Sequence, residues 1–102
     1  MALPPRDHRI ALDAAAALTR RYREESAGAQ RGECFHADQV REVLAQPGCV
    51  ALRVYYGKHD DGRDAIVLVG VDRKDNDLEQ GVLLEFGFPC PPFCGGDDAL
   101  NS

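Results

Sequence analysis

Two hydrophobic periods divide the chain. A helix is predicted from about Leu12 to Glu25, because Ala11, Ala14, Ala15, Leu18 and Tyr22 recur at i, i+3, i+4, i+7 and i+11, which is one stripe of an α-helix. The stripe is mostly alanine, so the helix can lie close to whatever it covers, and Gly28 is placed to stop it. A shorter helix is predicted from Asp38 to Gln46. Asp38 offers an N-cap oxygen. Val40, Val43 and Leu44 give a buried face, and Pro47 drives its predecessor out of the helical region.

From Cys49 onward the period is two. Val50, Leu52, Val54 and Tyr56 share one face of a strand, and Cys49, Ala51, Arg53 and Tyr55 share the other. Residues 65–71 are apolar on both faces, with Val67, Val69 and Val71 opposed to Ile66 and Leu68, as in a central strand covered on each side. A third strand is predicted over 81–86, with Val82, Leu84 and Phe86 on one face. Polar turn segments at 57–64 and 72–77 separate the three, and Cys34-Phe35-His36 reads as a short edge strand. The order predicts an α+β fold: two N-terminal helices packed on one face of a three- to four-stranded, mainly antiparallel sheet. The covered face is expected to be that of Val50, Leu52, Val54 and Tyr56. Residues 1–9, with Pro4-Pro5, read as an extended arm. Residues 10–88 read as a single α+β domain, and residues 89–102 as a Pro/Cys/Gly-rich tail with neither period.

Composition narrows the classes. With 102 residues, 44% hydrophobic and 28% charged, the chain is of single-domain size and able to bury a core without metal or disulfides. No apolar run approaches the ~20 residues of a membrane span, and the first residues lack the apolar core of a signal peptide. Membrane insertion is not expected, and the cytoplasm is the expected compartment. The net charge of −5 is uneven: residues 1–31 hold six Arg against four acids, and residues 32–102 hold six Lys or Arg against thirteen acids. An acidic body disfavours nucleic-acid binding, which draws on cation–phosphate contacts. Arg20, Arg21 and Arg23 are the local exception. They read as a solvated helix face with Arg20–Glu24 and Arg21–Glu25 at i,i+4, or as a contact for an acidic partner.

Candidate chemistry gathers at Cys90 and Cys94, within C-P-P-F-C-G-G. Zinc takes four thiolate or imidazole ligands. Pro91 and Gly95 fit a zinc knuckle, but the spacing is one residue longer than C-x-x-C, and Cys34 with His36 would have to supply the second pair. A disulfide or redox pair requires the Cα atoms within ~7 Å. Extended polyproline would hold them ~12 Å apart, so the chain must turn at Pro91-Pro92, helped by a cis bond. The third alternative is structural: Pro91, Pro92 and Phe93 cover apolar surface or dock on another protein, with the thiols as small buried groups. No cofactor is required, zinc being the one candidate.

Other constellations carry less. Cys34, His36 and Asp38 alternate, yet one strand spaces same-face side chains ~7 Å apart, and nucleophile and base normally come from separate segments. The acidic runs at 60–64 and 72–79 lack the spacing of a calcium loop and read as turns. No phosphate loop, dinucleotide motif or nucleophile elbow is present.

The strings T-R-R-Y-R, G-C-V-A-L-R-V-Y-Y-G, V-L-V-G-V-D and C-P-P-F-C, taken together, resemble a group of small bacterial proteins of about this length. The resemblance spans nearly the whole chain and implies a bacterial origin. It carries no activity and no catalytic residue onto these positions. The expected function is a non-enzymatic protein-binding or assembly module, with Arg53 and Tyr55 on the exposed strand face and the Pro/Cys tail as partner surfaces. A homodimer through an unprotected edge strand is a further expectation. The alternative is a thiol-redox or zinc protein built on Cys90 and Cys94.

Overall fold

Pairing of the short segment near Cys34 decides the architecture. The computed structural model describes residues 2–101. In chain order the elements are α1 (Leu12–Glu25), β1 (Gly32–Cys34), α2 (Ala37–Leu44), β2 (Ala51–Lys58), β3 (Asp64–Val71), β4 (Leu83–Leu84) and β5 (Phe88–Cys90). The fold is α+β, but its strands form two antiparallel sheets rather than one. β1 pairs with β5, which straddles the boundary drawn between domain and tail, with Phe88 on one side and Pro89 and Cys90 on the other; β2, β3 and β4 form the other sheet in that order. The chain divides into two units, residues 2–5 with 35–87 and residues 6–34 with 88–101.

In the first unit a single helix, α2, packs on the three-stranded sheet. Val43 of α2 is completely buried and meets Leu68 of β3 and Leu84 of β4, with Phe35, Val40, Ile66 and Val82 around them. No residue of β2 belongs to that cluster. α2 approaches all three strands, but the side chains it buries belong to β3 and β4. The helix begins one residue before the predicted Asp38. His36 is at the N-cap, and Asp38 sits in the first turn, bonded to Arg41 and suitably placed for the helix dipole.

β2 and β3 match residue for residue from Ala51↔Val71 to Lys58↔Asp64. A turn closes the hairpin: Gly62 at φ +90° is in the left-handed region that only glycine adopts freely, and Asp61 accepts from the Arg63 N–H. β4 shrinks from the predicted six residues to two, because Phe86 takes φ +61° and leaves the ladder. Between β3 and β4, Asp72 accepts from the N–H groups of Lys74 and Asn76, folding the acidic run into a turn, and Asp77 makes an isolated bridge to Val71. Gln46 ties the end of α2 to this region. Its Nε2 donates to the Val43 carbonyl at 2.8 Å and its Oε1 accepts from the Val82 N–H at 2.8 Å. Gly70 is required beside it, since a Cβ there would stand 2.9 Å from Cys49 Sγ.

In the second unit α1 has the predicted span, but its buried side is rotated. Ala16 is buried and Thr19 and Arg23 are half-buried, whereas Leu18 and Tyr22 are exposed. The run Ala14 to Ala17 places a methyl on every side of the helix, so the pattern there does not fix an angle. β1 and β5 pair as Gly32↔Cys90, Glu33↔Pro89 and Cys34↔Phe88.

Candidate functional site

Two features stand out from the fold: the outer edge of β2 and the cysteine loop after β5. In β2, Arg53 and Tyr55 point to one face and are held there. The Arg53 guanidinium pairs with Asp75 and Asp77, each at 2.5 Å, and the Tyr55 hydroxyl donates to the second oxygen of Asp77. That hydroxyl, and then Arg53, hold the Asp77 carboxyl below the usual range, while the bond to Asp77 raises the Tyr55 phenol. The acidic turn at 72–77 thus serves as a clamp on the sheet, a role its sequence does not disclose.

The other face of β2 carries the open surface. Antiparallel partners share a face, so the register Val54↔Leu68↔Leu84 puts Leu52, Val54 and Tyr56 on the side where α2 lies. All three are exposed, as is Val50, and Tyr56 is 91% exposed. This reverses the expectation that helices would cover these residues: α2 comes near β2 but buries side chains of β3 and β4. Phe86 is 85% exposed, and positive φ is rare for so bulky a residue.

Backbone polarity at this edge follows from one bond. The His59 N–H donates to the Arg63 carbonyl at 2.9 Å, which makes 59 and 63 a hydrogen-bonded pair. Alternation then turns the amides of 51, 53, 55 and 57 toward β3, and those of Leu52, Val54, Tyr56 and Lys58 toward the open side. Among the described residues no strand pairs with that side. The edge has one irregularity, where Val50 and Ala51 both face Val71, and one terminal charge, Lys58, bonded to Asp64.

In the second unit Cys90 and Cys94 form a disulfide with Cα atoms 4.7 Å apart. The Cys90–Pro91 and Pro91–Pro92 bonds are both cis. The loop is tied by Phe93 N–H to the Pro89 carbonyl and by Asn101 Nδ2 to the carbonyls of Cys94 and Gly96. Phe88 and Phe93 meet at 5.1 Å between ring centres. Pro91, Pro92 and Phe93 are exposed. Arg20 and Arg21 are exposed on α1, while Arg23 donates to the Leu100 carbonyl and Arg31 to that of Asn101. A cleft of about 250 Å³ lies beside those arginines, lined by Leu18, Tyr22 and Leu100 among others, smaller than the ~300–1,000 Å³ usual for ligand sites.

The remaining candidates are dispersed. Cys34 carries an exposed thiol in β1, opposite Phe88, and belongs to the second unit; His36 begins α2 in the first. Cys49 is half-buried with its Sγ 3.4 Å from the Ala51 carbonyl. Among the described residues no group of three or more His, Cys, Asp or Glu is arranged to hold a metal ion. A half-cystine has no thiolate to offer zinc, so a metal would require Cys90 and Cys94 in their reduced form. No helix of the described residues is long and apolar enough to cross a membrane. No family model, curated protein or solved structure matches the chain.

Proposed function

We propose that this chain is a protein-binding or assembly module that works through the open edge of β2. One observation carries the proposal: Leu52, Val54 and Tyr56 are exposed on the strand whose outward amides and carbonyls pair with no other strand among the described residues. Natural edge strands are commonly blunted by charges, prolines or covering segments. Here the middle of the edge is apolar and continuous, the combination used when an extended segment adds to a sheet: main-chain bonds supply affinity and alternate side chains supply selectivity. Arg53 and Tyr55 hold the strand from behind.

The test is selection of random peptides displayed on phage against the chain immobilised at low density. The expected result is enrichment of extended, β-branched or aromatic peptides by the wild-type chain and loss of that enrichment in Val54→Lys. Failure to enrich, or equal enrichment by both chains, contradicts the proposal.

A second function is favoured by the Cys90–Cys94 disulfide: a thiol–disulfide couple in which two electrons and two protons convert the bond to two thiols. Thiol titration in denaturant tests it. Two free thiols, Cys34 and Cys49, are expected after mild oxidation and four after treatment with a dithiol. Four thiols after oxidation would remove the couple.

A further inference from the structure

We infer that the partner of the β2 edge is a second copy of the chain, paired antiparallel through β2 with Val54 on the twofold axis, so that two three-stranded sheets join into one of six strands. The inference rests on the proposal that β2 is a docking edge and adds the identity and register of the partner. A twofold contact requires a surface complementary to itself, and the sequence of β2 meets that condition in this register. Val54 faces its own copy and Leu52 faces Tyr56 of the other. Aliphatic–aromatic and β-branched pairs of this kind are favourable across strands. Leu52, Val54 and Tyr56, which face each other in this register, are residues with outward amides, and the ladder ends before Val50, whose N–H donates to the Val71 carbonyl. On the reverse face Arg53 comes opposite Tyr55 of the partner copy, a cation beside an aromatic ring.

Charge selects this register over its neighbours. With the axis at Arg53, two guanidinium groups oppose each other, which is unfavourable. With the axis at Tyr55, Leu52 faces Lys58, so that an apolar residue meets a charge. With Val54 on the axis neither cation of the strand meets its own copy. Leu52, Val54 and Tyr56 are all exposed, so each has apolar surface to lose in such a contact.

Sedimentation equilibrium of the full chain tests the association, and cysteine cross-linking tests the register. The expected result is a monomer–dimer equilibrium that Val54→Lys weakens about tenfold or more, since two ammonium groups would then face each other. In a Cys34→Ser/Cys49→Ser chain that keeps Cys90 and Cys94, Val54→Cys should form a disulfide-linked dimer on mild oxidation. Paired residues at that position lie ~5.5 Å apart, within disulfide reach. Tyr56→Cys, which would face Leu52, should cross-link far more slowly. Far-ultraviolet circular dichroism checks that each variant is folded. A wild-type chain that is monomeric at all concentrations overturns the inference, as does a dimer in which the Tyr56→Cys chain links as fast as the Val54→Cys chain. A monomer that still enriches extended peptides leaves the docking edge standing without self-pairing. A monomer that enriches none removes both.

Discussion

Asp77 illustrates how much one side chain of a turn can govern. It receives the Tyr55 hydroxyl and the Arg53 guanidinium at once, and the two bonds set opposite pH limits. The Asp77 carboxyl is depressed on folding, so its stabilisation is present above the unfolded value of ~3.9 and is lost as pH falls through the folded value. The Tyr55 phenol is raised, so its stabilisation is present below ~10 and is lost as pH rises through the folded value. Denaturant midpoints measured across pH should therefore fall at both ends. Tyr55→Phe should flatten the alkaline limb, and Asp77→Asn should reduce the acid limb. Gln46 is the second residue of this rank. Replacing it with leucine leaves the Val82 N–H without its acceptor, and urea unfolding should show a loss of about 1–3 kcal/mol.

At the scale of elements, the sheet and its one packed helix account for the buried core. Leu84→Ala should cost about 2–5 kcal/mol, because Leu84 lies in the cluster with Val43 and Leu68. Tyr56→Ser, at a site 91% exposed, should change the stability of the dilute, monomeric chain by less than about 0.5 kcal/mol. Chemical denaturation of the two variants compares them directly. The span of α1 and the β2–β3 hairpin were legible in the sequence, since fourteen residues of helical spacing and two strands of period two leave little choice. The coverage of β2 was not legible. Alternation marks Leu52, Val54 and Tyr56 as one apolar face, but only the strand order and the set of side chains buried by α2 show that these residues stay exposed. Pairing of β1 with β5 was hidden for another reason: three residues including Pro89 carry no period, and their partner is more than fifty residues away. The turn of the Cys90–Cys94 loop followed from the sequence only on the disulfide alternative, since two half-cystines four residues apart cannot be bridged in an extended chain, and the residues alone did not choose that alternative over zinc or buried thiols.

At the scale of the molecule, the chain departs from the single sheet that its element order suggests. It uses one sheet to display an edge and a second, two-stranded one to anchor the residues after β5. The disulfide reinforces that anchoring. A Cys90→Ser/Cys94→Ser chain should lose about 2 kcal/mol, a modest value because the closed loop is short. Exchange of the Arg31 amide, which donates to the Cys90 carbonyl, reports that loss locally. The central claim, that the outer edge of β2 is a docking surface used by a second copy, is tested most directly by residue-resolved amide exchange at low and high protein concentration. The account predicts that the amides of Arg53 and Tyr55, which face β3, are protected at both concentrations. Those of Leu52, Val54 and Tyr56 should exchange rapidly when dilute and become protected when concentrated. Rapid exchange of these three at every concentration would contradict it.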